Sequence, residues 1–230
     1  AALASPLLGQ TPGVLREVWT SIDGSSVANL TLSPNFPGSP ILRVVDPEFR
    51  SPVDWNDRYG VRMRAYLTPT VAANYTFWVS GDDNCELWLS PDEDPAHRVK
   101  IATVTSYTAP QTWNTYAEQK SAPVSLQAGQ RYYVEALMKE GSGGDSLAVA
   151  WATSPSATPQ VIPGANLTPF EVPAAVTGTV VVNVEQVCFA IFSADKSVTI
   201  LFASGDKNKF TELTDREQEQ LKRMLRITPA

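Results

Sequence analysis

The sequence predicts an all-β protein of strands joined by loops, and three observations support this. Eighteen of its 230 residues are proline, and proline has no backbone N–H to donate within a helix or an inner strand. Six tryptophans and several β-branched runs favour strands. Several segments alternate apolar and polar residues with a period of two, which is typical of half-buried strands. A chain of this length can form one large β domain, or one domain with a small appendage.

The first predicted elements are short and are interrupted by prolines. The fold is expected to begin with the segment at residues 13–19, and a second short element is expected over 27–31. Prolines between residues 33 and 54 break that region into turns and extended pieces. Residues 59–67 then predict a half-buried strand, because Val61 and Met63 alternate with Arg62 and Arg64.

The central segments give the clearest strand signals. Strands are predicted at 75–79, 85–89 and 99–107. A central strand follows at 131–139, then a glycine-rich hairpin loop at 140–145 and a returning strand at 147–151. Glycines in this loop would let the backbone approach a ligand and offer carbonyl oxygens to it, or would simply form a flexible hairpin tip.

The C-terminal part differs in composition from the rest. Residues 154–173, rich in proline and small residues, suggest a linker or a wrapping segment. Strands are predicted within 176–192 and 198–202, and residues 214–217 match a helix capping box followed by apolar residues at helical spacing. We therefore divide the chain into a domain at 1–165 and a small β-rich extension at 166–230 that ends in one helix.

Charge and composition exclude several classes of partner. The net charge of −6 and the lack of a basic stripe argue against nucleic acid. No segment approaches the roughly 20 apolar residues of a membrane-spanning helix, so we expect no membrane insertion. Cys85 and Cys188 cannot form a disulfide framework; we expect two free buried thiols, and one bridge between them remains possible.

Two adjacent carboxylates, Asp82 and Asp83, lie at a predicted turn between two strands. Neighbouring side chains on an extended backbone point to opposite faces, so both carboxylates can converge only if the backbone bends and their repulsion is offset. A Ca²⁺ ion would do this, with the amide of Asn84 as a further oxygen ligand. The alternative is an ordinary acidic turn, since Asp, Asn and Gly are favoured in turns. A second acidic cluster at 90–95 is expected to be a solvated loop.

Seven ordered segments between residues 13 and 151 resemble a known family. They are 13–19, 59–67, 74–78, 81–90, 129–137, the hairpin 139–145 and the strand 147–151. Together they resemble the lectin-like domain named after the anthrax protective antigen, the PA-fourteen (PA14) domain, which occurs in bacterial toxins, glycosidases, secreted adhesins and yeast flocculins. The resemblance implies an antiparallel β-sandwich. It does not cover the chain beyond about residue 168.

The resemblance also implies a site. In the sugar-binding members, two consecutive aspartates joined by a cis peptide hold a Ca²⁺ ion, and a later loop completes its ligands. Asp82 and Asp83 match the pair, and Asp145 on the glycine-rich hairpin would be the third carboxylate ligand. Two sugar hydroxyls would then displace water from the open side of the ion, and Asp82, Asp83, Asn84 and Gly144 would contact the sugar. Trp55 and Trp113 could stack on a sugar ring, although core positions are more common for tryptophan in a sandwich.

The sequence therefore favours a calcium-dependent carbohydrate-binding module of a secreted or cell-surface protein, as part of a larger multidomain chain with a glycan or polysaccharide as its partner. The alternative is a structural or protein-interaction spacer that binds no glycan. Catalysis is not expected. The single histidine, His97, has no evident nucleophile partner, and two aspartates that converge on a cation lack the separation of a glycosidase acid and base.

Overall fold

The computed structural model describes residues 11–154 and 156–170 in full, and the backbone of three further strands at 187–192, 198–202 and 207–210. The regular structure of the described part is mainly β-strand, as the sequence predicts, with one short α-helix, α1 (Val27–Thr31), and three single-turn 3-10 helices at Pro95–His97, Ala117–Gln119 and Gly164–Asn166. The strands are β1 (Val14–Trp19), β2 (Leu42–Asp46), β3 (Tyr59–Leu67), β4 (Ala73–Asp82), β5 (Asn84–Leu89), β6 (Val99–Val104), β7 (Val124–Leu126), β8 (Tyr132–Glu140), β9 (Ser146–Ala152), β10 (Gln160–Val161), β11 (Leu167–Pro169), β12 (Val187–Phe192), β13 (Val198–Phe202) and β14 (Lys207–Phe210).

Two antiparallel sheets form a β-sandwich. The larger sheet has seven strands in the order β2-β1-β3-β8-β5-β6, with β11 pairing on the free part of β3. The smaller sheet has four strands in the order β10-β9-β4-β7. The strands β12, β13 and β14 form a separate three-stranded antiparallel sheet.

The apolar core lies between the two main sheets and follows the two-residue period of the strands. On β3, β5 and β8 of the larger sheet, and on β4 and β9 of the smaller one, every second side chain faces inward. The buried inward residues include Val61, Met63, Ala65, Phe77, Val79, Leu87, Val134, Ala136, Met138 and Val149. A second apolar cluster formed by Trp19, Ile22, Val27, Leu30 and Leu137 packs α1 against the other face of the larger sheet.

A buried carboxylate holds the first three strands of the larger sheet together on their outer face. Glu17 on β1 is 0% exposed and forms ion pairs with Arg43 on β2 and with Arg62 and Arg64 on β3. Arg62 and Arg64 are the polar residues in the alternation that predicts β3. Both thus have an acidic partner, Glu17, on the neighbouring strand.

The chain after residue 154 wraps around the sandwich. β10 pairs with β9, and β11 pairs with β3, opposite Leu67. The sandwich therefore includes Leu167–Pro169, four residues past the boundary drawn at residue 165, because these residues complete the hydrogen bonds of β3 beyond the end of β1. The prediction of a C-terminal helix, at 214–226, lies outside the described residues. None of the helices in the described part is long and apolar enough to cross a bilayer.

Candidate metal and ligand site

The two adjacent aspartates lie where the chain crosses from one sheet to the other. β4 ends at Asp82 and pairs with β9 in the smaller sheet; β5 begins at Asn84 and pairs with β8 in the larger sheet. Asp83 is the single residue between the two strands, and the Asp82–Asp83 peptide bond is cis, as the resemblance implies. The pair therefore lies at one end of the sandwich, where the end of β4 in one sheet meets the start of β5 in the other.

A third carboxylate reaches the pair from the end of β8. Oxygen atoms of Asp82, Asp83 and Glu140 lie within 4.8 Å of one another. The β8–β5 register, with Asn84 opposite Lys139, brings Glu140 level with the turn. The backbone N–H of Gly141 donates to Asp83 Oδ2 at 2.9 Å, which fixes the orientation of that carboxylate.

Glu140 is the least satisfied residue of the three. It is 0% exposed, and neither carboxylate oxygen accepts a hydrogen bond of good geometry; burial and the neighbouring charges raise its pKa more than the backbone of Asp83 lowers it. None of the ion pairs found within 11–154 and 156–170 includes any of the three carboxylates. A buried, charged carboxylate without hydrogen-bond or ion-pair partners destabilises the folded protein unless a cation or a proton neutralises it.

Asp145, the third ligand expected from the sequence, lies beside this group but already has protein partners. Its Oδ2 accepts the backbone N–H groups of Trp55 at 2.6 Å and Asn56 at 3.0 Å, and its Oδ1 accepts the hydroxyl of Tyr59 at 2.6 Å. The cluster within 4.8 Å contains Glu140 and not Asp145. Through these hydrogen bonds Asp145 links the loop before β3, at Trp55 and Asn56, to the hairpin between β8 and β9.

The other two expected contacts, Asn84 and Gly144, also lie at this end of the sandwich. Asn84 is half-buried, and its Oδ1 accepts the backbone N–H of Val27 at 3.1 Å, so that amide oxygen supports α1. A β-carbon placed on Gly144 would lie 3.5 Å from Asp82 Oδ2 and 3.3 Å from Asp54 Oδ1. The backbone of Gly144 therefore borders the open side of Asp82.

Electrostatics at the site are dominated by negative charge. Burial, and then Asp83, Asp145 and Asp54, raise the pKa of Asp82 to about 6. Burial, and then the charges of Asp83, Asp82 and Asp145, raise the pKa of Glu140 to about 8.

The pKa of Asp145 is also raised, chiefly by burial, although its hydrogen bonds act in the opposite direction. An all-oxygen group with surplus negative charge has the chemistry of a site for a hard divalent cation such as Ca²⁺ or Mg²⁺.

Comparison with known proteins agrees with this architecture. The family model described as "PA14 domain" matches residues 48–164. The chain belongs to the PA14 domain family.

Curated relatives match this PA14 domain over part of their length. The chain is 34% identical over 133 residues to the N-acetyl-beta-glucosaminyl-glycoprotein 4-beta-N-acetylgalactosaminyltransferase 1 of Mus musculus, covering 56% of the chain and 13% of that protein. It is also 34% identical over 147 residues to fibrocystin of Canis lupus familiaris, covering 59% and 3% respectively. The chain thus spans only a small fraction of these relatives.

Solved structures show the same fold at low sequence identity. The PA14 domain of the MpAFP antifreeze protein superposes with a TM-score of 0.54 at 13% identity, over 76% of this chain and all of that one. The PA14 sugar-binding domain of an RTX adhesin gives a TM-score of 0.52 at 14% identity, over 69% and 99% of the two chains.

Glu140 is the residue that the sequence interpretation missed, although a signal for it exists. The even-numbered residues of β8 face the core from Tyr132 to Met138, and Glu140 continues that series. A charged residue at an inward position is exceptional, and it indicates a partner or a ligand. The glycines that follow Glu140 favour a loop from residue 140 onward, so the sequence alone does not show that Glu140 continues the inward-facing series of β8.

The aromatic residues of this PA14 domain divide into packed and exposed ones. Trp55 is half-buried and packs edge-on against Tyr59, with ring centroids 4.8 Å apart; Trp113 is also half-buried. Tyr107 is 60% exposed. It precedes Thr108, whose backbone N–H donates to Gly81 O at 2.8 Å, so Tyr107 lies beside the turn that carries Asp82.

The remaining predicted polar features lie elsewhere. Residues 90–97 form a turn of their own, in which Asp92 accepts from Ser90, from the Asp94 backbone and, through its Oδ2, contacts His97 Nδ1 at 2.8 Å. This turn follows β5, at the end opposite to the Asp82–Asp83 turn. Cys85 is a free, buried thiol.

Proposed function

We propose that this PA14 domain is a calcium-dependent carbohydrate-binding module. The observation that carries the proposal is the buried carboxylate of Glu140, whose oxygens accept no hydrogen bond of good geometry and lie within 4.8 Å of oxygens of Asp82 and Asp83. In this proposal the three residues bind one Ca²⁺ ion, which supplies a charged centre with free coordination positions for ligand hydroxyls.

The repulsion among the three carboxylates supports a cation. Two unit charges 4.8 Å apart repel by about 3.5 kcal/mol at an effective dielectric constant near 20, and three such pairs exist here. Protonation relieves this repulsion only in part at neutral pH, because the pKa of Glu140 is raised to about 8 but that of Asp82 only to about 6. A divalent cation would reverse the sign of the interaction for all three residues.

The geometry suits Ca²⁺ as the cation. Ca²⁺ takes roughly six to eight oxygen ligands in a flexible arrangement, and three carboxylates of mixed strand and turn origin provide a partial set. Asp145 remains a predicted ligand from the sequence. Its Oδ2 already accepts two hydrogen bonds, whereas its Oδ1 accepts only one and keeps a further lone pair for an ion. Calorimetry on Asp145→Asn decides whether it binds the ion or only positions Tyr59 and the preceding loop.

The ion would be accessible on one side. Asp82 and Asp83 are half-buried, whereas Glu140 is buried, so Glu140 would hold the inner side of the ion. Two hydroxyls of a sugar could replace water on the outer side, where Gly144 borders Asp82. The exposed ring of Tyr107 lies beside the same turn and could pack against the apolar face of the sugar.

The relatives and structural neighbours support the carbohydrate class. One structural neighbour is the PA14 sugar-binding domain from an RTX adhesin. Another is an epithelial adhesin domain from Candida glabrata in complex with Galβ1-3GlcNAc, with a TM-score of 0.50 at 15% identity. We therefore propose a glycan as the partner and a secreted or cell-surface location, with the domain forming one part of a longer protein.

The decisive experiment is a glycan array probed with saturating Ca²⁺ and again with a chelator, together with calorimetric titration of Ca²⁺. We expect glycan signals that chelator removes, and loss of both Ca²⁺ and glycan binding in Asp83→Ala. Glu93→Gln is a matched control, because Glu93 is an exposed acid that pairs with Arg131 beyond the far end of β5. Ca²⁺ binding without any glycan signal would favour the structural spacer; glycan binding that chelator leaves unchanged would refute the calcium mechanism.

A further inference from the structure

The loop Asp23–Ser26 forms a wall beside the three carboxylates. The loop and the residue that follows it contact the neighbours of two of these carboxylates, Asn84 beside Asp83 and Lys139 beside Glu140. Val27, which follows the loop, donates its N–H to Asn84 Oδ1 at 3.1 Å. Gly24 O accepts from Lys139 Nζ at 2.6 Å.

One of the two serines in this wall, Ser25, lies close to the acidic group. A β-carbon placed on Gly141 would be 3.4 Å from the β-carbon of Ser25 and 3.1 Å from Asp83 Oδ2. Ser25 and Asp83 therefore flank the same small residue. A β-carbon at position 141 would crowd Asp83 Oδ2 and contact Ser25, so the glycine leaves space for both residues at this place.

Lys139 fixes this loop in an unusual way. Lys139 is 0% exposed, and a lysine is almost never fully buried unless it is paired. Its Nζ donates to two backbone carbonyl oxygens, those of Gly24 and Glu140, and forms no ion pair with the described carboxylates. The side chain thus serves to join the loop to the end of β8, next to Glu140.

Ser25 itself is free to bind a ligand. It is exposed, and its hydroxyl has no hydrogen-bond partner among the described residues. A hydroxyl can both donate and accept, which suits a further hydroxyl of a sugar whose first two hydroxyls bind the ion. The other polar side chains of the wall are already paired: the Ser26 hydroxyl donates to Asn29 Oδ1 at 2.6 Å, and the Asp23 carboxylate pairs with Arg58 at 2.7 Å.

We propose that Ser25 is a specificity-determining residue that hydrogen-bonds the sugar held at the ion, and that Lys139 is the positioning residue that holds Ser25 there. The inference rests on the proposed function. Hexose epimers differ in the direction of one hydroxyl, so a single protein hydroxyl at a fixed place selects among them. One neutral hydrogen bond contributes about 0.5–1.5 kcal/mol, which corresponds to a selectivity of about two- to tenfold.

The first test compares Ser25→Ala with the wild type on immobilised D-glucose, D-mannose and D-galactose at saturating Ca²⁺. We expect the ratio of affinities between the best two sugars to change by about threefold or more, with an unchanged Kd for Ca²⁺. Ser125→Ala is the matched control. Ser125 is also exposed, but it pairs with Asn74 near the start of β4, about 25 Å along the strand from Asp82.

The second test separates positioning from general damage. Lys139→Met removes the hydrogen bonds and one positive charge beside the acidic group, so we expect Ca²⁺ affinity to be equal or tighter while the sugar ratio changes as in Ser25→Ala. A merely destabilised site would lose affinity for both. Lys100→Met, which removes an exposed cation paired with Glu86, controls for the change in net charge.

The outcomes distinguish the two proposals. If wild-type protein with Ca²⁺ binds no sugar, the proposed function fails and this inference fails with it. If the wild type binds sugar and Ser25→Ala keeps the wild-type ratios, only the inference about Ser25 is overturned. Weakened Ca²⁺ binding in a folded Lys139→Met protein overturns the positioning role of Lys139. The role of Ser25 in sugar selection is decided by Ser25→Ala alone, even if Lys139→Met does not fold.

Discussion

Replacing Glu140 with glutamine should show how much the charge of Glu140 destabilises the metal-free protein, separately from what this charge contributes to cation binding. The amide has nearly the same shape as the carboxylate but carries no charge. Glu140 is fully buried, with oxygens that accept no hydrogen bond of good geometry. In the absence of Ca²⁺ we therefore expect Glu140→Gln to be more stable than the wild type above neutral pH, although most substitutions at buried positions destabilise a protein.

The size of the effect follows from the pKa of Glu140. Burial, with the charges of Asp83 and Asp82, raises this pKa from an ordinary 4.5 to about 8. A carboxyl with a raised pKa in the folded state stabilises the protein below its unfolded pKa, and this contribution is lost as the pH rises through the folded pKa. Each pH unit between the two values corresponds to about 1.4 kcal/mol. The full difference between the two pKa values corresponds to nearly 5 kcal/mol of unfolding free energy. Because Asp82 and Asp83 are partly open to solvent, which screens their charges, we expect the substitution to recover only about 2–3 kcal/mol of it.

The assay is thermal unfolding of both proteins in chelator from pH 5 to pH 8.5. At pH 5 the two melting temperatures should nearly agree. At pH 8.5 Glu140→Gln should melt about 5–10 °C higher, since 1 kcal/mol corresponds to about 2–4 °C for a domain of this size. Adding Ca²⁺ should raise the melting temperature of the wild type and leave that of Glu140→Gln nearly unchanged. A variant that is less stable than the wild type at pH 8.5 in chelator would show that Glu140 is not an uncompensated charge, and the reasoning would be refuted. Glu93→Gln, at an exposed acid, should show no such pH dependence.

Three other perturbations test separate parts of the structure. Wild-type protein at a Ca²⁺ concentration 100 times the Kd should gain about 2.7 kcal/mol over protein in chelator, measured as a rise in melting temperature; Mg²⁺ at the same concentration tests selectivity. Tyr59→Phe removes the hydroxyl that Asp145 accepts at 2.6 Å, and should lower the unfolding free energy by about 1–3 kcal/mol, as chemical denaturation would show. Glu17→Gln leaves three arginines without a counter-charge on the outer face of the larger sheet, and should cost about 3–5 kcal/mol; a loss below 1 kcal/mol would mean that the arginines are solvated instead.

The fold could be predicted from the sequence where alternation and pairing agree. The two-residue period at 59–67 gives β3 with its true bounds, and the signals at 75–79 and 85–89 lie inside β4 and β5. The strand β2 was hidden in the proline-rich region. Pro40 and Pro47 flank it, and it is stable as a strand only because it pairs with β1. That pairing is a tertiary contact, which local sequence preferences do not report.

The site could be predicted only in part, for a reason that lies in the topology. The adjacent aspartates are visible in the sequence because they are neighbours in the chain. Their third carboxylate is 57 residues from Asp83 in sequence and is recognised only by its place on β8, opposite the start of β5. Asp145 and Glu140 both flank the glycine-rich loop, and the pairing register alone puts the oxygens of Glu140 against the pair.

The location of the acidic group couples ligand binding to the integrity of the sandwich. Asp82 ends a strand of the smaller sheet, whereas Glu140 ends a strand of the larger sheet, and Asp83 is the crossing between them. Without a cation, like charges repel across this end of the sandwich; with one, the ion would join the end of a strand in each sheet. The free energy of ion binding is then also free energy of sheet packing, by linkage. Chelation should therefore increase amide hydrogen exchange at the ends of β4 and β8 first, while the inward apolar residues at the centre of both strands keep their protection.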